Sequence, residues 1–291
     1  MRKFILFFLI FLPGAYFSQI FNPYLEVFGE YPFFNQRFIA QNNIFQLSCK
    51  VLYKKSGDII RSKGESESYF FDRNGRLTHF YKLISWENGL DTLHYFYGYD
   101  QDTLIAIYYT YDKGFNKKTF VYDKDRKCIA IQYSRIANQT AGLLEVNFGN
   151  ETFLTEEKLE YVYQDGKVVK RVYKNNFGLP FKEEIVEYDD HGYVVRHEFT
   201  YVTSGQREVI YYEYDNYGWI KSKTCYYPSE NKTEKKLYYH DALGNLLKIE
   251  YFENDNMTHV EEFLYDKNTY IIRATIKKRL TDEFITIRKF D

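Results

Sequence analysis

Along most of this chain apolar and polar residues alternate with period two, in runs of about eight residues broken by short polar clusters. That periodicity predicts β-strands joined by tight turns rather than helices. The breaks share a form: Phe71-Asp72-Arg73-Asn74-Gly75, Tyr188-Asp189-Asp190-His191-Gly192, Tyr214-Asp215-Asn216-Tyr217-Gly218 and His240-Asp241-Ala242-Leu243-Gly244. Tyr99-Asp100, Tyr122-Asp123 and Tyr265-Asp266 lack the glycine, and Tyr163-Gln164-Asp165-Gly166 is one residue shorter. From Asp189 through Asp215 and Asp241 to Asp266 the steps are 26, 26 and 25 residues. An Asp that can accept backbone N–H groups, followed three residues later by a glycine free to adopt positive φ, predicts a type I turn closed by a glycine bulge.

In that register the aromatic before each Asp faces a residue beyond the turn. These facing residues read Leu77, Ile105, Cys128, Val168, Val194, Ile220, Leu246 and Ile271. Two places before the aromatic stand Tyr69, Tyr97, Phe120, Tyr161, Val186, Tyr212, Tyr238 and Phe263. All are apolar or aromatic, so the three columns predict one buried sheet face. The opposite face is mixed (Phe70, Gly98, Glu187, Glu213), which suits a sheet covered on one side or rolled into a shell and not the apolar band of a lipid-facing barrel.

The fold expected is all-β, an extended antiparallel meander of hairpins forming a twisted or spiralling sheet. Its open edges offer a route to self-association. Residues 43–291 form the repeat domain, with one further hairpin around Lys55-Ser56-Gly57-Asp58 and with Pro180 and Pro228 in connections. Residues 19–42 lack periodicity and read as an irregular cap or short helix. Between Asp123 and Asp165 the step widens to 42 residues. The excess, Ser134 to Glu157, predicts an extra hairpin or a protruding loop.

The pattern of Tyr-Asp-x-x-Gly-x-hydrophobic, followed by a strand ending in Tyr or Phe, resembles the YD repeats of the RHS family in short, degenerate form. It covers roughly Tyr69 to Thr286. The resemblance implies spiralling β-sheets, and carbohydrate binding has been proposed for that family. The family's role of enclosing toxin domains does not transfer, because there are too few repeats.

Residues 1–18 read as a secretory signal peptide: Arg2 and Lys3, an apolar run from Phe4 to Leu12, then a small residue before the expected cut after Ser18. The apolar run is shorter than the roughly 20 residues of a membrane span. Export places the chain in the periplasm, at the cell surface or outside the cell. A formal charge of −1 with interleaved signs argues against nucleic acid as a partner. The aromatic content of 20% suits half-buried pleated surfaces. The three cysteines, Cys49, Cys128 and Cys225, allow at most one internal disulfide and read as small core residues.

None of the six histidines stands at a ligand spacing, and no nucleophile elbow or phosphate loop is present. Asp100-Gln101-Asp102 and Asp123-Lys124-Asp125 do not continue into a calcium loop. No enzyme activity, metal or cofactor is therefore expected. The rare residues are Trp86 and Trp219, candidate stacking platforms for a sugar ring. The function expected is a non-enzymatic exported repeat protein, a binding or scaffold module for envelope carbohydrate or a protein partner. The alternatives are a structural or immunity-type envelope component, and last an enzyme whose site is assembled from distant turns.

Overall fold

A computed structural model describes residues 19–22, 26–87, 89–112, 114–138 and 146–291; the expected signal peptide lies outside them. One short helix, α1 (Gln36–Gln41), precedes the strands β1 (Gln46–Lys54), β2 (Arg61–Phe71), β3 (Leu77–Trp86), β4 (Gly89–Asp100), β5 (Thr103–Tyr111) and β6 (Gly114–Tyr122). There follow β7 (Cys128–Asn138), β8 (Phe148–Gln164), β9 (Lys167–Lys174), β10 (Pro180–Tyr188), β11 (Val194–Tyr201) and β12 (Arg207–Tyr214). The last six are β13 (Ile220–Tyr227), β14 (Lys232–His240), β15 (Leu246–Glu253), β16 (Asn256–Tyr265), β17 (Ile272–Arg279) and β18 (Ile285–Phe290).

Each strand pairs antiparallel with the next, and β18 returns to pair with β1, where Cys49 faces Phe290 on one side and Glu67 on the other. The sheet is thus a closed 18-stranded up-and-down barrel, all-β and antiparallel as expected and more specific than a twisted or spiralling sheet. Neighbouring hairpins are encoded locally. The closing pair joins the two ends of the chain and leaves no mark in the repeat. Closure also removes the edges, so the expected self-association through sheet edges has no edge among the described strands to use.

The turns follow the predicted chemistry. The Asp215 carboxylate accepts the N–H groups of Tyr217 and Trp219 at 2.9 and 3.0 Å, and the Gly218 N–H donates to the Asp215 carbonyl at 3.0 Å. Asp72, Asp123, Asp189 and Asp241 repeat this arrangement. Asn175, at the other end of the barrel, does the same with a neutral amide. Facing pairs fall as expected at Phe71–Leu77, Tyr188–Val194, Tyr214–Ile220 and His240–Leu246. In two copies the register differs. Tyr99 faces Leu104 rather than Ile105 because its turn is a residue shorter, and Tyr265 faces Ile272 rather than Ile271 because its turn is a residue longer.

The turn tyrosines also staple neighbouring hairpins. Five of their hydroxyls donate to the carbonyl of the facing residue in the preceding copy: Tyr99 to Leu77, Tyr122 to Leu104, Tyr188 to Val168, Tyr214 to Val194 and Tyr265 to Leu246, at 2.7–3.0 Å. A ring buried in the sheet face with its hydroxyl satisfied is how Tyr is accommodated in a thin layer.

The segment ahead of β1 enters the barrel. Phe21 meets Phe263, Phe34 meets Tyr69 and Phe71, the Tyr97 hydroxyl donates to the Glu30 carbonyl, and Lys118 reaches Glu30 and Tyr31. Lys223 and Lys236 hold Glu26, and Arg288 lies over the Phe28 ring. A segment that touches the same face of β2, β4, β6, β13, β14, β16 and β18, strands of one closed ring, lies inside it. What reads as an irregular cap is a plug. It buries Ile20, Phe33, Phe38 and Ile39 among the column residues, so the predicted core face points into the lumen. The Gly75 turn sits directly against α1: a Cβ there would lie 2.0 Å from the Gln36 carbonyl oxygen.

Deeper in the lumen the lining is charged. Glu67 is 2% exposed, accepts from the Tyr69 hydroxyl at 2.9 Å, and pairs with Arg288 at 3.2 Å and Lys82 at 3.3 Å. Burial alone would raise its carboxyl, but the two cations and the hydroxyl more than offset this and hold it below the usual range. The outer face is mixed, as expected, and carries the chain Glu187–Arg196–Glu198–Arg207. The widened step proves to be one long hairpin of β7 and β8, with register shifts near Ser134 and Asn138. Its tip, 139–145, falls outside the described residues. The described part sends Phe148 over Phe96 and Phe115 on the outer face.

Candidate functional site

Of the two tryptophans, Trp219 lines a concave site. It follows the turn glycine Gly218 and precedes β13, at the end of the barrel where the Tyr-Asp turns lie. Its indole stacks on Tyr217 (centroids 4.9 Å apart, planes 24° apart) and meets His240 at 5.6 Å. His240 stands where other copies carry the turn tyrosine. Burial lowers its basicity, against a smaller opposing pull from Asp215 and Asp241. These residues, with Lys221, Tyr239 and the two aspartates, line a groove of about 480 Å³.

Glycine fixes the indole in place. An added Cβ at Gly244, in the next turn along the rim, would lie 2.5 Å from the Trp219 ring and 1.8 Å from the Gln19 side chain. The same seating recurs one repeat earlier: a Cβ at Gly218 would lie 2.2 Å from the Tyr193 hydroxyl. Gly218 and Gly244 are therefore seats for the aromatics of the preceding turns, and the positive φ of the bulge leaves those positions to glycine. Tyr193 stacks in turn on Tyr214 at 4.9 Å. A second groove of about 620 Å³ runs from Asp189 and Tyr193 to the far side of Tyr217. The two grooves meet at Asp215 and Tyr217, so the rim carries a run of aromatic faces over three consecutive turns.

Trp86, the other candidate, ends β3 at the opposite end of the barrel and is 64% exposed. It shares no site with Trp219. The rim residues not singled out from sequence are Tyr193, Tyr217 and Tyr239. A signal was present in the aromatic after the glycine of two successive turns, His191-Gly192-Tyr193 and Tyr217-Gly218-Trp219, although the grooves require the turns to be placed side by side.

Other titratable clusters are satisfied within the fold. Glu184, 1% exposed, is held by Arg171 at 2.8 Å and by the Tyr173 hydroxyl at 2.9 Å. The imidazoles of His79 and His94 lie 3.1 Å apart on the outer face, stacked against Phe96. Cys49, Cys128 and Cys225 are free thiols, and burial followed by the charge of Glu67 pushes Cys49 up to about 12. Among the described residues no group of three or more His, Cys, Asp or Glu side chains is placed to hold a metal ion. None of their helices is long and apolar enough to cross a membrane, which does not bear on strands.

No family model matches the chain, and no curated protein matches it. Among solved structures, it is similar to a porin-like protein from Bacteroides uniformis, at 11% identity over 85% of this chain and 95% of that one, with a TM-score of 0.42. A porin-like protein from Bacteroides vulgatus overlaps 83% of this chain and 96% of its own, at 11% identity and a TM-score of 0.33. The Photorhabdus luminescens Tc holotoxin pore, with a TccC3 mutation, overlaps 80% of this chain but 16% of its own, at 9% identity and a TM-score of 0.23. Scores this low carry no argument about function.

Proposed function

We propose that this chain is a non-enzymatic, envelope-associated barrel that binds carbohydrate in the rim groove around Trp219. The observation that carries the reading is the Trp219–Tyr217 stack in a groove of about 480 Å³. That volume lies within the range of small-ligand sites. A pyranose ring presents an apolar C–H face and polar hydroxyls. An aromatic platform flanked by carboxylates and an ammonium complements both, and glycine seating holds the indole in advance of binding, which limits the ordering cost.

The barrel serves as scaffold rather than conduit. Its lumen is occupied by the N-terminal plug, and the charged chain from Glu187 to Arg207 on its outer face is costly against hydrocarbon. Export and kinship with the YD repeats belong to the same reading and rest on the sequence pattern.

The test is isothermal titration of the purified chain with neutral, amino and acidic oligosaccharides. Trp219→Ala abolishes binding and Trp86→Ala leaves it unchanged. Equal binding by both variants, or none by the parent chain, removes the proposal.

A further inference from the structure

The Tyr-Asp turns differ from one another in charge. At Asp72 the carboxylate is paired with Arg76 at 2.6 Å, and at Asp266 with Arg273 at 3.0 Å. The Asp123 turn contains Lys124, Arg126 and Lys127. The turns built on Asp100, Asp189, Asp215 and Asp241 contain no Lys or Arg; Arg76 reaches Asp102 of the first at 3.8 Å, and the other three flank the two aromatic grooves. Asp189, Glu213, Asp215 and Asp241 line the grooves with Lys221, and the Lys167 ammonium lies beside the Asp189 turn, 3.7 Å from where a Cβ at Gly192 would stand.

The turn does not need that charge. Asn175 accepts the N–H groups of Phe177 and Leu179, both at 3.0 Å, and receives the Gly178 N–H on its carbonyl at 2.8 Å. A neutral amide therefore builds the same hairpin elsewhere in this chain. The aromatic faces favour a cation independently: ammonium groups are attracted to the faces of Trp and Tyr, and Trp219, Tyr217 and Tyr193 present such faces along the two grooves.

Resting on the reading of this groove as a carbohydrate site, we infer that its ligand is an oligosaccharide of amino sugars bearing free, protonated amines. The sugar rings lie on Trp219 and Tyr217, and the ammonium groups meet the carboxylates of Asp189, Asp215 and Asp241. Neighbouring turns at this rim are two strands apart, roughly 10 Å along the sheet, so grooves joined at Tyr217 suit a chain of several sugars rather than one.

The experiment measures binding of glucosamine oligomers, their N-acetylated counterparts and uronic acid oligomers of equal length, in mildly acidic buffer. The free amines bind on the order of tenfold more tightly than the acetylated chains, since each exposed carboxylate adds up to about fivefold. The preference fades near 1 M salt, where screening acts over about 3 Å. Asp189→Asn, Asp215→Asn and Asp241→Asn together bring the affinity for free-amine chains down to that for acetylated chains, with each single substitution as a milder check. Tyr217→Ala, at a side chain 72% exposed, weakens both kinds of chain. If acetylated and free-amine chains bind alike through Trp219, or uronates bind better, the amino-sugar inference is overturned and the groove assignment stands. If no oligosaccharide binds, the groove assignment falls and takes the inference with it.

Discussion

Replacing Gly75 with Ala tests how the plug is seated. Gly75 has a φ of +77°, and a Cβ there would lie 2.0 Å from the Gln36 carbonyl oxygen and 2.8 Å from the Ala40 nitrogen. Both atoms are backbone of α1, so no side-chain rotation relieves the overlap and the helix must retreat by more than an ångström. The left-handed conformation costs an alanine about 1–2 kcal/mol, and overpacking adds about 1–3 kcal/mol. Gly57 is the control: its φ is +72° and nothing lies within 4 Å of its added Cβ, so Gly57→Ala carries only the conformational cost. The difference, about 1–3 kcal/mol, isolates the contact between turn and plug. At roughly 2–4 °C per kcal/mol for domains slightly smaller than this one, the gap in melting temperature is on the order of 5 °C. Differential scanning calorimetry of the two variants reads it directly. Equal melting temperatures would refute the seating of α1 against the turn.

Three further outcomes are expected. Tyr214→Phe keeps the stack on Tyr193 but loses the hydroxyl bond to the Val194 carbonyl at 2.8 Å; urea titration reads a loss of about 1 kcal/mol. Glu67→Gln strips Arg288 and Lys82 of their shared anion and costs about 3 kcal/mol in the same assay at neutral pH. Because Glu67 titrates below its ordinary value in the fold, its contribution is present above the usual carboxylate range and is lost as pH falls, so the variant also flattens the acid limb of stability against pH. Burial, with His94 alongside, lowers His79 from 6.5 to about 4. Between those pH values the unfolded chain takes up a proton that the fold refuses, so stability falls as pH drops through that window, and His79→Phe makes melting temperature less sensitive there.

The hairpins were legible because their chemistry is local. Asp215 reaches amides two and four residues away, Gly218 supplies the bulge, and Tyr214 faces Ile220 across the turn. Register could be read to within one residue even where the turn length changed, at Leu104 and Ile272. Closure was not legible, because the pairing of Cys49 with Phe290 joins two strands that no repeat relates. The plug escaped for a related reason. Phe21, Phe33 and Phe34 have no periodicity of their own, and their burial depends on a ring that exists only after closure. At the site, Trp219 stood out by rarity. Its groove depends on Gly244 and His240, one repeat away, and on the turns lying side by side. The break at Ser134 to Glu157 extends one hairpin and adds Phe148 to an aromatic cluster on the outer face.

Two tryptophans, one at each end of the barrel, allow a direct reading of the central claim that the Trp219 groove binds carbohydrate. In Trp86→Phe all indole fluorescence comes from Trp219. Titration with oligosaccharide is predicted to shift and saturate that emission, with a midpoint equal to the dissociation constant measured by calorimetry on the parent chain. Saturating calorimetric binding with no change in the Trp219 emission would contradict the account.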